Sequence, residues 1–246
     1  MSSPHEHLIV ALDVSTASEA TKIVQSIGES AGFYKVGKQL FTAVGPEIVR
    51  DLVVSGKRVF LDLKFHDIPN TVAAAVYSAS GLGVSMMTVH AAGGSKMLKA
   101  AVEAAASATR PPLILAVTVL TSFTDQDVQE IGFSGKTTDN VLRLASLGQA
   151  AGCGGVVSSV AEVKALRQLL GTGFAIVTPG IRPAGSAAGD QARIATPSAA
   201  IAAGASHIVV GRPITGAKNP AQAAQEIVSE IDSALNHQQT PELASR

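Results

Sequence analysis

Phe60-Leu61-Asp62-Leu63-Lys64-Phe65-His66-Asp67 sets two carboxylates and an ammonium where an apolar, strand-like run gives out. Asp62 and Lys64 are two apart, so on a strand both point to one side, with Val59, Leu61, Leu63 and Phe65 on the other. Asp67 follows just past the strand end. Buried charge is costly unless partners or chemistry compensate it. Lys35, in the preceding strand-like run, extends the set. Lys35, Asp62, Lys64 and Asp67 are expected to lie close together on neighbouring strands. An alternating array of this kind can also be purely structural, but four ionisable groups in one place favour a reaction centre.

The elements that would position these residues alternate along the whole chain. Strand-like segments are read at 8–13, 33–37, 58–64, 86–90, 113–120, 155–158, 175–178 and 207–211. Helical stretches are read at 18–31, 46–55, 69–82, 94–106, 137–151, 161–170, 197–203 and 219–235. Ser18, Pro46 and Pro69 give start signals, and Gly32, Gly56, Gly171 and Gly204 give stops. Alternating β and α elements imply a parallel sheet with helical crossovers. Eight such units in 246 residues match a single (β/α)8 TIM barrel filling the chain as one domain, its core at about 8–235. The alternative is a doubly wound open sheet. It would normally carry a glycine fingerprint after its first strand, where this chain has Asp13-Val14-Ser15-Thr16.

In a barrel, reactive groups come from the C-terminal strand ends and the loops that follow them. Those positions hold Asp13, Lys35, Asp62 with Lys64, His90, Thr121 with Ser122, Ser158 with Ser159, Thr178 and Arg212. Asp13 can equally be a turn former or a helix cap. His90 reads more naturally as a hydrogen-bonded structural histidine than as a base. The loop Pro179-Gly180-Ile181-Arg182-Pro183 and the pair Gly211-Arg212 follow the seventh and eighth strands, where barrels often seat phosphate. Glycines let backbone N–H groups approach an anion, and arginine adds a forked, charge-assisted contact.

Composition narrows the function classes. Lys+Arg and Asp+Glu balance at 19 each, and aromatics make up 4% of the chain, which argues against a nucleic-acid binder. The single cysteine, Cys153, precludes an internal disulfide, suits a reducing cytoplasm and reads as a small packed residue. The first seven residues lack the basic start and apolar core of a signal peptide. Residues 68–95 contain no Asp, Glu, Lys or Arg and are long enough to cross a bilayer. Pro69, Gly81, Gly83 and Gly93-Gly94 interrupt them, so they read as helix, turn and strand rather than a membrane span.

Lys35-Val36-Gly37, the run from Asp62 through Ile68-Pro69-Asn70-Thr71, Pro179-Gly180-Ile181-Arg182 and Val209-Val210-Gly211-Arg212 together resemble the orotidine 5′-phosphate decarboxylase family. The likeness runs from about Leu8 to Leu235, with the motifs in order. It implies decarboxylation of orotidine 5′-phosphate to uridine 5′-phosphate without cofactor or metal, the last step of de novo pyrimidine synthesis. It also implies a homodimer in which Asp67, Ile68 and Thr71 serve the neighbouring subunit's site. Lys64 would protonate C6 of the pyrimidine. Lys35, Asp62 and Asp13 would hold the charge array and contact the ribose. Thr121 and Ser122 would face the base, while Arg182, Gln191, Gly211 and Arg212 would bind phosphate under a lid at 184–189. Two rivals remain: a metal-assisted keto-sugar-phosphate enzyme on the same scaffold, and a catalytically dead nucleotide binder.

Overall fold

The computed structural model describes residues 3–183 and 195–239. Among them, eight parallel strands close into a barrel in chain order: β1 (Leu8–Ala11), β2 (Phe33–Gly37), β3 (Arg58–Phe65), β4 (Met86–His90), β5 (Leu113–Val117), β6 (Gly155–Val157), β7 (Ala175–Thr178) and β8 (His207–Val210). β1 closes the ring against β8, with Leu8 opposite Ile208 and Val10 opposite Val210. This is the (β/α)8 barrel expected from the alternating pattern. The open-sheet alternative falls with the closure.

Strand parity sorts the core into two shells. Ile9, Ala11, Phe33, Phe60, Met86, Leu115, Val177 and Val209 point inward and are buried together as the barrel floor. Their sequence neighbours, such as Leu8, Val10, Tyr34, Val59 and Leu61, point outward and pack beneath the helices. Both faces of a barrel strand are covered, which is why these segments read as nearly continuous apolar runs. Bulky Phe33, Phe60 and Leu115 are balanced by Gly155 and Ala175 across the interior, so the inside is packed rather than open.

The helices follow the expected order with shifts at their ends. The first spans Ala17–Ile27 and not 18–31, because the Thr16 hydroxyl caps it by accepting the Glu19 N–H. It stops at Gly28, in the left-handed region at φ 58°, rather than at Gly32. Pro69 opens the helix Pro69–Ser80, and Gly171 and Gly204 end theirs as expected. β1 ends at Ala11 and β5 at Val117, two and three residues earlier than read, leaving Asp13 and Leu120 in the mouth loops. Three short helices at the mouth were not foreseen: Lys38–Val44, Asp125–Glu130 and Arg212–Thr215. Residues 69–90 form a helix, a turn and a strand, and the next helix opens at Gly94 after a 3-10 turn. No helix among the described residues is long and apolar enough to cross a membrane.

The N-terminal face of the barrel is fastened by one arginine. Arg167 donates to the carbonyls of Gly171, Thr172, Phe174 and Gly204 and to the Ser206 hydroxyl. Beside it, His207 packs edge-on against Phe33, and its Nδ1 is buried without a hydrogen-bond partner among the described residues. Cys153 is buried and its thiol is pushed up to about 12 by burial, in keeping with a packing role.

Two outcomes follow from this packing. A methyl group at Gly155 would meet the Ala175 carbonyl oxygen at 2.5 Å and Leu115 Cδ2 at 2.7 Å. Gly155→Ala should therefore cost about 1–3 kcal/mol in urea denaturation, through overpacking of a backbone that cannot yield. Burial, then His7 and Arg58, push His207 down from 6.5 to about 4. Below pH 6.5 the unfolded chain takes up a proton that the folded one refuses until about pH 4. Stability should therefore be full above pH 6.5 and fall progressively as the pH drops toward 4. His207→Leu should flatten part of that slope in thermal melts at pH 7 and pH 5.

Candidate active site

Above the apolar floor, the next inward layer of β2, β3 and β4 is polar: Lys35, Asp62 and Thr88. Lys35 Nζ lies 2.9 Å from Asp13 Oδ1 and 3.8 Å from Asp62 Oδ2. Lys64 Nζ donates to both Asp62 oxygens, at 2.8 and 2.7 Å. The result is a chain of alternating charge, Asp13–Lys35–Asp62–Lys64. The side chains of Lys35 and Asp62 are only 12% and 13% exposed, so each charge depends on its neighbours for compensation.

Lys64 does not arrive there by simple alternation. It is the one non-glycine residue with positive φ among the described residues, at 53°. Between Leu61, opposite Met87, and Phe65, opposite Val89, β3 carries three residues against the single Thr88 of β4. The shared side of Asp62 and Lys64 was read correctly. The regular strand assumed for it is corrected to a bulge.

The position of Asp67 also needs correction. It forms no ion pair with Lys35 or Lys64 among the described residues; instead its Oδ1 accepts the Ile68 N–H at 2.6 Å. Asp13 takes the fourth place in the array. Asp67, Ile68 and Thr71 all face outward, Ile68 being 67% exposed. Asp13 is neither the helix cap nor a mere turn former, since Thr16 caps and Asp13 pairs with Lys35.

A cavity of about 510 Å³ opens over this array. Asp13, Lys35, Asp62 and Lys64 line it together with Thr121, Arg182, Gly211 and Arg212. Six strand-end groups, the loop residue Arg182 and Gly211, all named from the sequence, thus share one space. Ser122 is exposed and is not part of the wall. Gln191 and the lid at 184–189 lie outside the described residues. Gln39 and Thr215 were missed: they enter the wall from the short helices Lys38–Val44 and Arg212–Thr215, whose few residues give too little periodicity to detect. Thr88 was missed as well, although a polar residue at an inward position beside Asp62 was the available signal. Gly180 and Gly211 stand next to the two arginines, and Arg212 opens its short helix directly after Gly211.

His90 follows the structural reading. Its Nδ1 accepts the Ala92 N–H at 3.4 Å, and its ring stacks on His66 with centroids 5.2 Å apart. Burial, with His66, Lys64 and Lys38 adding to it, pushes it down to about 4, so the ring is neutral at pH 7. Among the described residues, no group of three or more His, Cys, Asp or Glu is arranged to hold a metal ion. Chemically, the site offers an oriented ammonium beside a carboxylate in the same cavity as two arginines. That combination suits an anionic substrate with charge developing near Lys64.

Comparison with known proteins places this geometry in context. A family model described as Orotidine 5′-phosphate decarboxylase / HUMPS family matches residues 6–227. The Orotidine 5′-phosphate decarboxylase of Halorhodospira halophila is 53% identical over 227 residues, spanning 92% of this chain and 96% of the relative. That of Idiomarina loihiensis is 51% identical over 224 residues, spanning 91% and 97%. The crystal structure of Orotidine 5′-phosphate decarboxylase from Lactobacillus acidophilus superposes with a TM-score of 0.84 at 39% identity, covering 92% of this chain and 99% of that one. On sequence and fold together, the chain belongs to the orotidine 5′-phosphate decarboxylase / HUMPS family.

Proposed function

We propose that this protein converts orotidine 5′-phosphate to uridine 5′-phosphate and carbon dioxide with no cofactor, closing de novo pyrimidine synthesis. The observation that carries the reading is the Lys64 ammonium, held 2.7 Å from Asp62 in the cavity that Arg182 and Arg212 also line. The bond between C6 and the carboxylate breaks, carbon dioxide leaves, and the electron pair stays on C6. That carbon has no adjacent electron sink, so the transition state approaches a vinyl carbanion. A fixed ammonium stabilises the growing charge and then gives its proton to C6. Asp62, beside the leaving carboxylate, disfavours the bound ground state relative to the transition state.

The remaining roles follow the family resemblance. Arg182, Arg212, Gly211 and Gln191 bind the phosphate, and that remote binding energy supports positioning at C6. Residues 184–189 close over it. Asp13 and Lys35 reach the ribose, and Thr121 faces the base. Asp67, Ile68 and Thr71 complete the site of a second copy in a homodimer. Their outward orientation supports this, as does the exposed Ile68 side chain next to a carboxylate that pairs with no lysine of its own chain among the described residues. The metal-assisted keto-sugar reading is less well supported, because both mouth carboxylates already hold ammonium groups where a hard cation would need open oxygen ligands.

The primary test follows the loss of orotidine 5′-phosphate absorbance with purified protein and EDTA. Turnover is expected to persist, and strict magnesium dependence would favour the keto-sugar reading. Lys64→Ala should still bind uridine 5′-phosphate in calorimetry yet lose turnover by many powers of ten, each worth about 1.4 kcal/mol of barrier. The shared site has its own test. Lys64→Ala and Asp67→Ala, each nearly inactive alone, should recover about a quarter of wild-type activity when randomly mixed as dimers, because half of the dimers then hold one intact site. No recovery on mixing would mean that Asp67 acts within its own chain.

A further inference from the structure

The bulge in β3 creates a problem that a single side chain solves. Asp62, Leu63 and Lys64 stand opposite Thr88 alone, so the backbone of Lys64 cannot continue the ladder with β4. Its N–H is instead taken by the Thr88 hydroxyl at 2.9 Å. The same hydroxyl donates to Asp62 Oδ1 at 3.0 Å. A hydroxyl has one proton and two lone pairs, so accepting from Lys64 commits that proton toward Asp62. Thr88 is fully buried.

We infer that Thr88 is a positioning residue of this site. Its hydroxyl holds Lys64 in the left-handed conformation and fixes the Asp62 carboxylate that orients the Lys64 ammonium. A left-handed, non-glycine backbone persists only where its surroundings over-determine it. Thr88 supplies two such constraints: one bond to the strained residue and one to that residue's partner. The aliphatic Lys64 arm then closes the loop, since its Nζ returns to Asp62. Thr88 acts through Asp62 and Lys64, and it is absent from the cavity wall.

This inference rests on the proposed decarboxylation, and the experiment separates the two. Thr88→Val keeps the branched shape but can neither accept from Lys64 nor donate to Asp62. With orotidine 5′-phosphate, kcat is expected to fall about ten- to a hundredfold, as for a small misplacement of a reacting group, while KM stays within about threefold. Thr88→Ser, which restores the hydroxyl, should recover most of the lost kcat. A crystal structure of Thr88→Val should show Lys64 leaving the left-handed region or its Nζ leaving Asp62. Wild-type kcat in Thr88→Val, or Thr88→Ser as slow as Thr88→Val, would overturn the inference. If Thr88→Val does not fold, Thr88→Cys takes its place with the same expectations, its thiol being a weak donor and acceptor of nearly the same size. If the wild-type protein fails to turn over the nucleotide, the proposed function falls, and the Lys64 conformation in the variant crystal still decides the role of Thr88.

Discussion

Asp62 is the residue on which the barrel mouth depends. Its carboxylate accepts from Lys64, lies 3.8 Å from Lys35 and takes a third contact from Thr88. Lys35 in turn reaches back to Asp13. Removing Asp62 would leave the half-buried Lys64 ammonium without its counter-ion, which costs more than the loss of a surface pair. The apolar floor beneath, built around Phe33 and Phe60, holds β2 and β3 in register, so Lys35 sits opposite Phe60 and Gly37 opposite Asp62. The barrel therefore serves the array in two ways. It lowers the water content around the charges, and it fixes the strand spacing that lets them satisfy one another.

Much of this was legible in the sequence because β-strands have a period of two. Ile9, Phe33 and Phe60 share parity with Lys35 and Asp62 along their strands, so an apolar floor under a polar rim could be read without coordinates. The same rule failed at Lys64, because a bulge breaks the period and nothing in Asp62-Leu63-Lys64 announces one. Asp67 was placed in the array on nearness in sequence, yet the turn that follows Phe65 sends it outward. The short helices at the mouth, with Gln39 and Thr215, fell below the length at which helical periodicity is visible. Strand ends were read too long at Asp13 and Leu120 because apolar loop residues continue the strand-like composition.

The two ends of the barrel use similar residue types in opposite ways. At the base, Arg167 is committed to backbone carbonyls and one hydroxyl, and His207 is kept neutral by burial. These groups lock loops to strands. At the mouth, Arg182 and Arg212 border the cavity beside Gly180 and Gly211, where no Cβ keeps an anion away from the backbone. Fold stability and chemistry are thereby separated by the height of the barrel, as in barrels generally.

The bulge explains why a lysine can serve two residues after the aspartate that orients it. On a regular strand, Lys64 would stand about 6.6 Å further along the strand than Asp62. β3 instead spends four steps from Leu61 to Phe65 where β4 spends two from Met87 to Val89. The extra residues are absorbed locally, which keeps the Lys64 backbone low enough for its ammonium to return to Asp62. The positive φ of Lys64 is the cost of that descent, and the buried Thr88 hydroxyl offsets it. Strand irregularity, backbone conformation and charge placement at this site are thus one device.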